Sequence, residues 1–464
     1  MTTTETREMS SPAMERRVQA LRAVHASGRT RPIEWRLKQL EGIVRLVTER
    51  EADVAAALAK DLGRSPVEAW LGDLTSTKGE AEYAIKHLRR WMKPERVRLP
   101  LNQLPGSAWV QDEPLGVVLV IGPWNYPVYL TLGPLIAAVA AGNCTVVKPS
   151  ELAPATSALL ATLLPQYVDP DAVIVVEGDG ATTQELLALG FDHALFTGGT
   201  EVGRKIMAAA APTLTPVTLE LGGKSPAIVT ADADLDVVAR RIAWVKLLNS
   251  GQTCISPDYV LVDEKVRDRL VEKLVATVAQ FRSDQVGGQR IVNKRQFDRL
   301  AGYIAETKGR IVTGGGVDEG ALTIEPTIIV DPDVAEPAMS DEIFGPILPV
   351  VGYRTTEDAI SFVNRRPKPL GLYIFSSSKK AARDMTDRIP AGGVVINHVA
   401  LHCLVAALPF GGVGASGMGA YHGEWGFHTL SHRKSVLSKT LKPDIRVIYP
   451  PYTERAKKIM RRIF

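Results

Sequence analysis

The stretch NSGQTCIS at 249–256 holds Cys254, one of three cysteines in 464 residues, among small and polar neighbours. A cysteine kept for packing usually sits in apolar company, so this thiol is either a nucleophile placed on a polar turn or a buried structural thiol. The nearest histidines in sequence are His193 and His398, so its base has to come from elsewhere in the chain. Glu220 lies in the apolar run VTLELGGKSP at 217–226. Desolvation between Leu219 and Leu221 would raise its pKa and suit it to general-base work, although alternation along a strand could equally turn it to solvent. Asn125, in GPWNYP at 122–127, has an amide able to donate to a developing oxyanion, or it is a turn-forming Asn beside the packed Trp124. Lys224 has the amine of a Schiff-base nucleophile, but a solvated or ion-paired lysine is its default reading.

Three other motifs suggest ligands. FTGGTEVGRKI at 196–206 runs from a strand into a helical pattern with Thr200 as a candidate N-cap. The backbone N–H groups of Gly198, Gly199 and Thr200 could hold a pyrophosphate there, or the segment is an ordinary strand-to-helix turn. GVGASG at 412–417 has dinucleotide-fingerprint spacing, but Pro409 interrupts any preceding strand and GMGAYHGEWG is too glycine-rich to open a helix. A glycine-rich connection is the expectation. HVALHC at 398–403 offers His398, His402 and Cys403 without a second ligand cluster, so packing is expected rather than a metal.

The elements that must position these residues follow from periodicity. Residues 13–92 are helical in pattern, and 94–112 turn strand-like and proline-punctuated, as in a hairpin. From Gly116 strands alternate with helices. Strands are expected at 116–121, 144–148, 172–176 and 193–196, and helices at 131–141, 157–164, 182–190 and from about Glu201. A second run places strands at 226–230 and 259–263 and helices at 234–248 and 265–281. Wholly apolar strands between amphipathic helices predict a doubly wound parallel sheet with its ligand at the carboxyl ends of the strands, and here two such α/β lobes. The uncharged stretch between Glu113 and Lys148 exceeds a membrane span in length, but its prolines and glycines cut it into strand, turn, helix and strand.

Lys and Arg total 55 against 51 for Asp and Glu, a net charge of +4 that implies no nucleic-acid partner. Three cysteines make no disulfide framework and fit a reducing cytosol, and the N-terminus has no apolar leader core. A cytoplasmic protein is the expectation.

Taken together, GPWNYP, VVKPSE (146–151), FTGGTEVG (196–203), LELGGKSP, NSGQTCISPD (249–258) and EIFGPILPV (342–350) resemble the aldehyde dehydrogenase superfamily, in order, over residues 14 to 440. PFGGVGASGMGAYHG (409–423) and the short N-terminal segment resemble its class 3 branch of fatty and aromatic aldehyde dehydrogenases. The resemblance implies an NAD(P)-binding domain at 14–98 and 116–217 and a catalytic domain at 218–404. It further implies a bridging, dimer-forming element at 99–115 and 405–440, followed by a basic tail at 441–464. It makes Cys254 the nucleophile, Glu220 the base and Asn125 the oxyanion donor. It places Lys148 and Glu151 on the adenosine ribose, and Gly198, Gly199, Thr200, Glu201, Val202 and Gly203 near the pyrophosphate. Trp124, Glu342 and Phe344 would lie by the nicotinamide and its ribose.

The implied activity is NAD-dependent oxidation of a medium- or long-chain or aromatic aldehyde through a cysteine hemithioacetal and thioester, with NADP possible and a homodimer expected. A CoA-acylating dehydrogenase, a thiol esterase and a non-catalytic aldehyde-binding protein are the alternatives. The sequence departs from the resemblance at Gly199, where many members have Ser, at Ala406, where a second His is common, and in a shorter loop at 281–292. TERAKKIMRRIF at 453–464 is a basic helix with Ile459, Met460, Ile463 and Phe464 on one side. It could cap a substrate tunnel or touch an anionic membrane.

Overall fold

Strands that are apolar at every position cannot face water on either side, and here helices cover both. In the computed structural model, which describes residues 11–284 and 288–463, Val117–Ile121, Cys144–Lys148 and His193–Thr197 are buried along their whole length. They belong to a sheet whose parallel order is Val217–Glu220, His193–Thr197, Val117–Ile121, Cys144–Lys148, Val173–Val175. The chain winds outward in both directions from Val117–Ile121, which makes the gap beside His193–Thr197 the topological switch point. Register does the next part of the work. Ile121 pairs with both Lys148 and Phe196, and Thr197 pairs with Glu220, so Lys148 and Glu220 reach the same carboxyl edge.

The second sheet has seven strands. Thr327–Val330, Ile347–Tyr353, Tyr259–Asp263, Pro226–Val229, Gly371–Phe375 and Gly393–Ile396 run parallel, and Arg310–Thr313 pairs antiparallel at one edge. Helix Leu235–Leu247 crosses from Pro226–Val229 to Tyr259–Asp263, and Cys254 lies on the connection entering the latter strand. Glu342 occupies the corresponding place ahead of Ile347–Tyr353. The first sheet therefore supplies its groups where strands end, and the second where strands begin.

Cys144–Lys148 and Tyr259–Asp263 have the bounds read from the sequence, and the other expected strands and helices of both lobes are present with ends shifted by a few residues. The uncharged stretch resolves into Val117–Ile121, helix Tyr129–Ala141 and Cys144–Lys148, and no described helix is long and apolar enough to cross a membrane. The proline-punctuated segment forms strands Glu95–Val97 and Gly106–Pro114, with Ser431–Lys439 paired along the latter from Pro114 to Gly106.

One expectation fails. GMGAYHGEWG does open a helix, Gly423–Thr429. Its first turn is capped from afar, because the Gly423 N–H donates to the buried Glu80 carboxylate at 2.6 Å. Gly426 lets the helix close on Ala137, where a Cβ would stand 2.9 Å from the Ala137 methyl carbon. These glycines permit close packing rather than flexibility. The dinucleotide reading of GVGASG still fails on its context: Gly417–Met418 is a two-residue strand lying antiparallel to Val217–Glu220.

Candidate active site

After helix Leu235–Leu247 the chain reverses through three left-handed residues, Asn249 (φ 51°), Ser250 (φ 49°) and Gly251 (φ 71°). Two of these are not glycine, a strained arrangement that persists only when its surroundings hold it. Gln289 does part of that work: its side-chain oxygen accepts from the Ser250 N–H at 2.9 Å and its backbone oxygen from the Ser250 hydroxyl at 2.8 Å. Asn249 donates its amide to the carbonyls of Asn125 and Gln252, each at 3.0 Å. At Gly251 a Cβ would lie 2.3 Å from the Gly345 oxygen, so only glycine fits. Gln289 lies in the 281–292 segment, whose residues 285–287 lie outside the described ones.

The turn delivers Cys254 half-buried to the wall of a cavity of about 150 Å³, whose lining includes Tyr126, Tyr129, Trp244, Phe410 and Tyr421. An apolar cavity of roughly that size holds a benzene ring. Burial pushes the Cys254 thiol above its ordinary pKa, and the nearby Glu342, Cys403 and Glu220 push it further. Glu220 ends its strand with 2% exposure, and neither carboxyl oxygen has a hydrogen-bond partner among the described residues. Burial holds its pKa well above the usual carboxylate range. The solvent-facing reading of Glu220 is thereby excluded. Asn125 is also buried, and its amide donates to the Gln252 carbonyl at 3.2 Å, two residues before the thiol.

At the switch point, helix Thr200–Ala210 begins with Gly199 as its N-cap and no side-chain cap. This corrects Thr200, which is the first helical residue and donates its hydroxyl to the Ala415 carbonyl at 3.3 Å. A Cβ on Gly199 would meet nothing within 4 Å, so there is room beside this helix start, where an anion is favoured; the Gly198 N–H, expected to join in holding a pyrophosphate, instead donates to the Glu220 carbonyl at 2.9 Å. Gly198 packs on the Phe196 ring and Gly203 on Leu221, with no room for a Cβ on either. Glu201 pairs with Arg204, and Val202 is exposed.

Lys148, 2% exposed, donates to the half-exposed Glu151 at 3.2 Å and to the Pro149 carbonyl at 3.1 Å. Trp124 and Phe344 meet edge to face with ring centres 5.4 Å apart. Glu342 packs against Gly222, where a Cβ would stand 2.2 Å from its carboxyl oxygen. Burial, then the charge of Asp258, raise its pKa to about 8. Arg299 fixes this segment by donating to the carbonyls of Glu342 at 3.0 Å and Ile343 at 2.7 Å.

Lys224 takes its default role, ion-paired with Asp258 and donating to the Ala338 and Asp341 carbonyls at 2.8 Å. His398 meets Trp244 edge-on and His402 lies against Phe410. Among the described residues no three His, Cys, Asp or Glu side chains are placed to hold a metal. Sequence reasoning missed Arg64, Asp73, Glu80 and Lys246, all buried near the site. Lys246 carried a signal, being four residues after Ile242 on the buried stripe of its helix.

An uncapped helix end at a switch point suits the phosphates of a dinucleotide, and the aromatic cavity beyond it suits an apolar reactant. This is the build of a nicotinamide-dependent oxidoreductase. The sequence profile of the Aldehyde dehydrogenase family matches residues 2–436. Rat aldehyde dehydrogenase family 3 member A2 is 48% identical over 447 residues, spanning 95% of this chain and 92% of the relative. The rat dimeric NADP-preferring aldehyde dehydrogenase is 46% identical over 440 residues, spanning 94% and 97%. A substrate-bound Staphylococcus aureus AldH superposes with a TM-score of 0.93 at 38% identity, covering 97% of this chain and 99% of that one. The chain belongs to the aldehyde dehydrogenase family. It is an NAD(P)-dependent enzyme that oxidises aldehydes.

Glu80 gives the structure a measurable pH dependence. Burial raises its pKa from 4.5 to about 7 against the opposing Gly423 hydrogen bond. The fold therefore holds this proton more tightly than the unfolded chain. The resulting stability is fully present below about 4.5 and is lost as pH rises through about 7. Glu80→Gln keeps an oxygen for the Gly423 N–H and should shrink the fall in unfolding free energy between pH 5 and pH 8 by on the order of 2–3 kcal/mol. Thermal unfolding at the two pH values reads it; an undiminished fall would show that Glu80 titrates as a solvated carboxylate.

Proposed function

We propose that Cys254 is the nucleophile, Asn125 the oxyanion donor and Glu220 the general base of this oxidation. The observation that carries the reading is a half-exposed thiol in an apolar cavity whose surroundings include a buried, unpaired carboxyl group. The Cys254 sulfur bonds to the aldehyde carbon, its proton passes to solvent water, and the C=O electron pair moves onto the oxygen, which gains negative charge. The Asn125 amide and the Cys254 backbone N–H donate to that oxygen, and one such donor typically contributes on the order of 10²–10³ in rate. Hydride acceptance is the chemistry the nicotinamide supplies when bound, and it leaves a thioester on Cys254. Glu220 then takes a proton from water attacking the thioester carbon. The C–S bond breaks, the carboxylic acid leaves, and the sulfur takes the bond's electron pair and the proton that Glu220 removed from the water.

The cofactor fits the residues present. The open N-terminus of helix Thr200–Ala210 would take the pyrophosphate, with Gly198, Gly199, Glu201, Val202 and Gly203 around it. Lys148 and Glu151 would take the adenosine ribose hydroxyls, and Trp124, Glu342 and Phe344 the nicotinamide riboside. The Glu151 carboxylate would repel a 2′-phosphate, which favours NAD over NADP. The aromatic lining of the cavity supports a medium- or long-chain or aromatic aldehyde as substrate. A Cys–His hydrolase is disfavoured because burial lowers the pKa of His422, the cavity histidine, to about 3 and keeps it neutral.

The chain further fits a homodimer: Ser431–Lys439 is an edge strand with its outer side unpaired among the described residues and with Leu437 exposed. The basic helix Glu454–Ile463 is the feature that would make a peripheral contact with an anionic membrane in a cytoplasmic enzyme. Equal liposome flotation with and without residues 441–464 would reject that contact.

Two variants test the chemistry. Cys254→Ala should abolish aldehyde-dependent formation of reduced nicotinamide, followed by its near-ultraviolet absorbance, and retained turnover would refute the nucleophile. Glu220→Gln should keep the first-turnover burst but slow steady-state acid release by roughly 10²–10⁴. Because Glu220 acts ionised and its pKa is raised, wild-type release should quicken with rising pH, and that limb should vanish in the variant. A variant with wild-type release and an unchanged pH profile would remove Glu220 from the mechanism.

A further inference from the structure

Asn125 and Cys254 sit on different sheets' connections, yet oxyanion stabilisation needs donor and sulfur held to a fraction of an ångström. A third segment, belonging to neither sheet, ties them together. It runs from the C-terminus of helix Glu51–Leu62 through helical turn Pro66–Ala69 into a π-helical turn, Trp70–Leu74, that continues as helix Thr75–Trp91. π-turns inside α-helices are uncommon and cluster at functional sites. This one carries Gly72 and Asp73.

Arg64 and Asp73 form an ion pair with side chains 1% and 0% exposed. All three guanidinium nitrogens are used. Nη1 donates to Asp73, Nη2 donates to the Asn125 carbonyl, and Nε donates to the Asn249 side-chain oxygen at 3.2 Å. Asp73 accepts, through its other oxygen, the N–H groups of Val128 at 3.0 Å and Tyr129 at 2.8 Å, which start the helix following Asn125. The guanidinium also lies over the Tyr126 ring, 4.2 Å from its centre, and the Tyr126 hydroxyl bonds to Thr253 at 2.9 Å. Gly72 makes room for that ring, since a Cβ there would stand 2.7 Å from it. Arg64 therefore grips Asn125 by its backbone, the strained turn by Asn249, and the residue before Cys254 through Tyr126.

We propose that Arg64, charge-balanced by Asp73 on the π-turn, is a positioning residue that sets the Asn125 amide against Cys254 for attack on the aldehyde. The inference rests on the roles proposed above for Cys254 and Asn125. A planar fork serving three acceptors in three directions is a guanidinium property that the compact ammonium of lysine does not reproduce.

The test is a double-mutant cycle between Arg64→Lys and Asn125→Ala, read as the rate of the first-turnover burst with a saturating aromatic aldehyde and NAD. Arg64→Lys keeps the charge beside Asp73 and so protects the fold, which a neutral substitute at 64 would endanger. Arg64→Lys should slow the burst roughly 10–100-fold in the wild-type background and less than about threefold in Asn125→Ala, because the amide it positions is gone. NAD affinity by fluorescence titration should stay within about twofold of wild type, since Arg64 touches none of the residues assigned to the cofactor. Asp73→Glu should behave like Arg64→Lys in both backgrounds. Multiplicative effects of the two substitutions, a burst unchanged by Arg64→Lys, or a parallel loss of NAD affinity would overturn the proposal. The underlying reading fails separately: it falls if Asn125→Ala and Cys254→Ala both leave the burst intact.

Discussion

The desolvation of Glu220 governs the rest of the site. A carboxyl with two oxygens unpartnered among the described residues rests in its neutral form inside a protein, and Glu220 is 2% exposed. Gly417 closes one side by lying on its strand, so near that a Cβ would stand 2.2 Å from the Leu219 oxygen. The aromatic cavity closes another. The same dryness acts on Cys254, whose thiol is also pushed up, and each group's negative charge disfavours the other's. The pair therefore resists holding a thiolate and a carboxylate together. On the proposed roles this imposes an order. Once the sulfur is committed to a thioester it bears no charge, and Glu220 can ionise without that penalty when water has to be activated.

The second constraint is geometric. A doubly wound sheet collects its ligand groups where strands end, whereas Cys254 and Glu342 precede strands of the other sheet. Neither sheet alone builds the site, and its precision depends on the contacts between their connections. Those contacts are specific: the Asn125 amide on the Gln252 carbonyl, and the Asn249 amide on the Asn125 carbonyl. The left-handed turn at 249–251 is costly in isolation and persists because its polar groups are satisfied across this seam.

Much of this was legible in the sequence where one element carried the whole signal. Cys144–Lys148 is five buried residues in a row, and such runs between helical patterns announce a parallel sheet. The turn that carries Cys254 was legible in the small and polar residues around it. Other parts were not, because their causes lie far away in sequence. The helix opening at Gly423 depends on Glu80, 343 residues earlier. Thr200 has the right residue type for an N-cap, but its hydroxyl is drawn to Ala415 and the cap falls on Gly199. Arg64 and Asp73 look like surface charges of a helical segment, and only partners 61, 185 and 55 residues away explain their burial.

Arg64 and Glu220 are opposite solutions to burial. Arg64 is carried in the interior with each of its three nitrogens donating to an acceptor and its charge paired, so it is fixed in place and suited to holding other groups still. Glu220 is left without a hydrogen-bond partner among the described residues, so nothing there fixes it in the ionised form. A hydrogen bond to either Glu220 oxygen from a neighbouring side chain would stabilise the carboxylate, lower its pKa and weaken it as a base. A missing partner at Arg64 would instead leave a charge uncompensated and the seam loose. On the proposed roles the two cases stay apart: the group that positions is bonded at every nitrogen, and the group that reacts has no partner among the described residues.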